Sequence, residues 1–193
     1  MDGVCYGGIG FGCLCLKAYG NEMRFEEDFD PIPELVEIFR HLQNEECGDW
    51  RVWDESEVWI AFTAPTQRKE IVYLSSGAEG STASFTKRFR RKDILQMLKD
   101  IFQALLMDRD FPYQYPCFGE LDEAMCAQAQ EKAAILANGN MDVEDELYKA
   151  ACREGRIPLS PAGQEIYQRC KKLLDDCINS RQSNFCGDGG EMI

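Results

Sequence analysis

EVWIAFTA, residues 57–64, is the stretch that decides the fold class. It holds the strand formers Val58, Trp59, Ile60 and Phe62 in a run too short for a helix, and Pro65 stops it. Both of its alternating faces are apolar, as in a central strand buried on both sides. Working outward, WRVW (50–53) and EIVYLS (70–75) read as further short strands. Ser81–Phe89 alternates loosely beyond a glycine-bearing turn at 77–80. Connections this short join antiparallel neighbours, so the middle of the chain is a β-meander.

Helices flank it. Asp30-Pro31-Ile32-Pro33-Glu34 opens one, with Asp30 placed to cap and proline in the first turn. Leu35, Val36, Ile38, Phe39 and Leu42 then follow helical spacing. Residues 92–107 carry the clearest amphipathic stripe: Ile94, Leu95, Leu98, Ile101, Phe102, Leu105 and Leu106. That helix is the natural cover for one face of the meander. Residues 120–138 form an alanine-rich helix ended by Gly139, and Asp142 caps a short helix through Cys152. Ser160-Pro161 starts a last helix, on which Ile166, Tyr167, Cys170, Leu173, Leu174 and Cys177 share a face.

The ends of the chain carry weaker signals. Cys5–Tyr19 reads as a Gly-rich turn feeding a strand, and Glu22–Asp30 as an acidic loop. Asp110–Gly119 sets Pro112 and Pro116 among aromatics, an ordered loop rather than a helix. Strands early and helices late, without strand–helix alternation, is the α+β pattern. The expected architecture is an antiparallel β-meander covered on one face by helices, with a helical C-terminal half. One domain is expected over residues 1–179, with a disordered polar tail at 180–193.

Composition narrows the function classes. At 45% hydrophobic and 28% charged, the balance is globular. Asp2 stands where a secretory segment would be basic, and glycines at 7, 8, 10 and 12 interrupt the first apolar run. The ten cysteines are therefore expected to be reduced and mostly buried, in a cytoplasmic protein without a membrane span. A formal charge of −13 argues against direct nucleic-acid binding, which draws on Lys and Arg to neutralise phosphate. The same charge suits a basic protein partner reached by electrostatic steering.

No catalytic set assembles from the residues. His41 is the single histidine, so a Ser-His-Asp or Cys-His arrangement would have to use it. The cysteines lack the paired close spacing of a zinc site, and no cofactor is expected. Gly8, Gly10 and Gly12 alternate, where a dinucleotide loop needs Gly-x-Gly-x-x-Gly. The run Lys87-Arg88-Phe89-Arg90-Arg91-Lys92 reads as a solvated junction between strand and helix, paired with acidic surroundings.

The acids are more informative by distribution. A first concentration includes Glu26, Glu27, Asp28, Asp30, Glu45, Glu46, Asp49, Asp54, Glu55 and Glu57, interleaved with Trp50 and Trp53. Rings that supply desolvated contact beside carboxylates that steer are what a surface for a basic protein uses. Those twelve residues are the expected partner-binding set, with Trp59 weighed between core and interface. In general character the chain looks like small acidic inhibitors such as a bacterial toxin's immunity protein, which occlude a basic groove, possibly that of a nuclease. Two other classes stay open: a small enzyme using a carboxylate or a thiol, with Cys117 the first thiol to test, and an acidic structural or nucleic-acid-mimicking protein of phage or host. A homodimer through an apolar strand face is a further alternative.

Overall fold

A computed structural model describes residues 4–10, 13–18, 21–25, 31–54, 58–80, 82–83, 85–109, 111, 123–153 and 159–180. The architecture is α+β, with two antiparallel sheets and a helical C-terminal half. The meander forms a four-stranded sheet in the order β4 (Gly48–Trp53), β5 (Val58–Ala64), β6 (Ile71–Ala78) and β7 (Phe85–Arg90). Its core face carries Val52, Ile60, Phe62, Ala64, Val72 and Leu74, all buried.

The N-terminus contributes a second sheet of three strands, β1 (Val4–Gly10), β2 (Cys13–Ala18) and β3 (Asn21–Phe25). The sequence reading has one strand there and a loop from Glu22. The difference lies in the glycines. Pairing of β1 with β2 slips between Tyr6 and Gly8, where Gly8 takes a φ of 119°. A Cβ at Gly7 would sit 3.1 Å from the Cys15 carbonyl oxygen. Glycine inside a strand marks a bulge or a close approach as readily as a turn.

Helix α1 (Pro31–Gln43) buries Ile32, Leu35, Val36, Ile38, Phe39 and Leu42. Helix α2 (Arg91–Met107) buries Ile94, Leu95, Leu98, Ile101, Phe102 and Leu105. It touches β1 of the first sheet, β6 and β7 of the second, α1, and the last helix α5 (Pro161–Asn179). Phe39 and Phe102 meet edge-to-face at 6.0 Å between centroids. Ser160 caps α5 as the sequence indicates, its Oγ accepting from the Gly163 amide at 3.0 Å. At the far end of α5, Lys99 donates to the carbonyls of Ile178 and Ser180.

Between them, α3 (Glu123–Ala137) and α4 (Met141–Arg153) form a hairpin with a small core of its own around Ala151, Cys126, Ala129 and Tyr148. The cap of α4 is Asn140 rather than Asp142: its Oδ1 accepts from the amides of Asp142 and Val143. Residues 112–119 of the aromatic loop and the tail beyond Ser180 lie outside the described residues. Among the described residues, no helix is long and apolar enough to cross a membrane.

One cation inside this framework is structural. Arg91 is 3% exposed. Its Nη1 donates to the carbonyls of Leu42 and Glu46 at 3.0 Å each, and its Nε to that of Lys69. Burial pulls its pKa down, while the neighbouring Cys47, Glu45 and Glu70 oppose the shift. The guanidinium thus ties the end of α1, the β5–β6 turn and the start of α2 together. Replacement Arg91→Met takes a donor from the Glu46 and Lys69 carbonyls and one of two from that of Leu42, which also accepts from the Glu45 amide, but it removes a desolvated charge as well. The expected net loss is about 3 kcal/mol by denaturant unfolding, with Arg91→Lys recovering little because an ammonium cannot match the planar fork.

Candidate partner-binding site

Strand β4 sorts its residues by parity. Trp50 and Val52 point to the helices; Asp49, Arg51 and Trp53 point to the other face of the sheet. Trp50 and Trp53, three residues apart, therefore part company. Trp50 is half-buried against the core and stacks on His41 at 5.1 Å and 13°. It also lies over Gly48, where a Cβ would come 2.8 Å from the ring. Trp53 is 37% exposed on the outer face.

There it pairs across the ladder with Trp59, whose ring centroid is 6.4 Å away. Trp59 faces away from the main core yet is only 6% exposed. Its burial comes from two neighbours. On one side it covers its cross-strand partner Gly77, where an added Cβ would meet the ring at 2.6 Å. On the other, the Arg51 guanidinium sits 4.8 Å from the ring centroid. Arg51 in turn reaches Asp49 at 3.3 Å, and Asp49 accepts from the Thr63 hydroxyl at 2.7 Å. With Ser75 and Glu79 these residues line an open concavity of about 490 Å³.

The other acids of the expected set serve different ends. Asp54 is buried and closes the β4–β5 connection, its Oδ1 accepting from the Val58 amide at 2.9 Å. Glu45 ends α1 with a φ of 58°. Glu46 is exposed and lies 2.6 Å from His41 Nδ1, a hydrogen bond that holds its carboxyl below the usual range. Glu26, Glu27, Asp28, Asp30, Glu55 and Glu57 lie outside the described residues, as does Cys117. The structure thus brings Asp49 and Trp53 together and adds Arg51, Trp59 and Thr63 to them. Alternation alone assigns these to one face; the Trp59–Gly77 contact has no signal in one strand read alone.

The thiols depart from expectation in their burial. Six described cysteines lie outside any disulfide; of these Cys177 is buried, Cys5 is exposed and the other four are intermediate. Burial pushes the Cys177 thiol up, with Asp176 adding to the shift and Arg40 and Lys99 opposing it.

No protein-family model, no curated protein and no solved structure matches this chain.

Two outcomes follow from this geometry. Gly77→Ala drives a methyl into the Trp59 ring and is expected to cost about 1–3 kcal/mol, with a shift in tryptophan emission. In native protein at pH 8, Cys177 should react with iodoacetamide at least roughly 100-fold more slowly than Cys5, read by peptide mass spectrometry. Comparable rates would show that the α5 packing opens freely.

Proposed function

We propose that this chain is an acidic inhibitor that binds a basic protein by occlusion, in the manner of a bacterial toxin's immunity protein, acting in the cytoplasm. The observation that carries this reading is the outer-face concavity, where an exposed ring stands beside a carboxylate. Trp53 offers its face to a partner's guanidinium much as Trp59 accepts Arg51. Asp49 uses part of its acceptor capacity on Thr63 and Arg51, and a carboxylate has about four acceptor sites. An incoming Arg can thus gain a ring contact and a charge-assisted hydrogen bond at one place, the usual composition of an interface hot spot. The net charge of −13 supplies the long-range attraction. Free thiols suit a reducing compartment.

The test is co-purification with the protein encoded by the adjacent gene, followed by titration at two salt concentrations. The expected result is a 1:1 complex whose affinity falls by roughly tenfold in Trp53→Ala and again in Asp49→Asn. Its association rate should fall steeply with added salt, because exposed attraction is screened within about 8–10 Å. A complex indifferent to both substitutions, or to salt, would overturn the proposal.

A further inference from the structure

The opposite edge of the same sheet carries the opposite charge. Arg88 and Arg90 stand on β7, paired across the ladder with Tyr73 and Ile71, and so face the same side as Trp53. The β5–β6 turn brings Arg68 and Lys69 to this corner: the Ile71 amide donates to the Arg68 carbonyl, and the Arg91 backbone and side chain bond to Glu70 and Lys69. Lys92 follows in the first turn of α2. All five cations are exposed, and none forms an ion pair with a described residue. The acids near the corner include Glu70 and Asp93, with Glu45 and Glu46 on the core side around Arg91. Of this run, Arg88, Arg90 and Lys92 form no ion pair with a described residue, and Arg91, its buried member, bonds to backbone carbonyls.

Strand β7 is also an edge of the sheet, with no described strand beyond it. An edge presents a row of unpaired amides and carbonyls. Exposed Arg on such an edge repels a second copy of the same strand but leaves pairing open to an acidic one. The start of α2 adds to the positive potential, because Arg90 provides no side-chain cap to the amides that follow Arg91, whose own amide donates to Glu70.

We propose that β7 and its basic corner receive an acidic, extended segment of a partner protein, which adds as a fifth strand. Alternate carboxylates of that segment face Arg88 and Arg90, while its backbone pairs with the free edge. A peptide is favoured over nucleic acid because a long phosphate chain also meets the field of a molecule carrying −13, whereas a short segment feels the corner. The lining of the Trp53 concavity, drawn from β4, β5, β6 and the turn after it, includes none of these five cations, so the two sites stand or fall independently.

The probe is a fluorescein-labelled decapeptide alternating Val and Glu, titrated against the full chain and followed by anisotropy. Binding is expected, weakened roughly tenfold or more by the double variant R88E/R90E and unchanged by Trp53→Ala. A peptide with Lys in place of Glu should not bind, and N-methylation of alternate amides should abolish strand addition. Circular dichroism checks that R88E/R90E is folded, and Arg88→Gln is a milder second variant expected to show a smaller loss in the same direction. No binding, equal binding of the Lys peptide, or indifference to R88E/R90E would overturn the proposal. So would an oligothymidylate of equal charge that binds more tightly than the Glu peptide, which would make the corner a nucleic-acid contact.

Discussion

The apolar stripe of α2 is the constraint on which the rest depends. Ile94, Leu95, Leu98, Ile101, Phe102 and Leu105 are buried at once against the three-stranded sheet, the four-stranded sheet, α1 and α5. That helix packs on strands of both sheets, and α1 joins it on the four-stranded one at β4. A side chain such as Phe102 at this junction contributes on the order of 3–5 kcal/mol, because its removal leaves a cavity that four elements must share. Arg91, at the first position of α2, fixes where the stripe begins by holding carbonyls from α1 and the β5–β6 turn. A buried cation seldom adds much net stability, but it penalises any register in which those three carbonyls are not brought together.

With one face of the four-stranded sheet committed to α2 and α1, its other face is left to small and flat contacts. There the Trp59 ring lies on Gly77 and occupies the space that a Cβ would fill. This packs an aromatic close to the backbone without a second layer of helix, and so leaves Trp53 and Asp49 open to solvent. The concavity is a consequence of covering a sheet with its own side chains.

Much of this was legible in the residues. Helical spacing identified the buried faces of α1 and α2, and Val58–Ala64 was recognisable as a central strand from its composition. Ser160 announced α5 by its cap chemistry. The N-terminal sheet was not legible, because glycine at 7, 8 and 10 weakens the strand signal that Asn21–Phe25 would otherwise have confirmed. Arg91 was hidden for a different reason. Within Lys87–Lys92 nothing local separates the one buried cation from its exposed neighbours; only the arrival of the α1 carbonyls does so. At the candidate site, parity alone separates Trp50 from Trp53, yet reading the acids and rings as one surface overlooked it.

The charge of −13 is a sum over regions that differ in sign. At one edge of the four-stranded sheet a carboxylate stands beside an exposed ring; at the other, five cations gather around a free strand. The described charges of this sheet are thus unevenly spread from β4 to β7. For the proposed basic partner, net charge would steer the approach within about 10 Å, and this asymmetry would bias its orientation on arrival. On the proposal above, such a partner would be turned toward the Trp53 edge, since the β7 cations repel it. Specificity of docking then rests on repulsion as much as on attraction, and it requires no more of the interface than that Arg88 and Arg90 remain unneutralised.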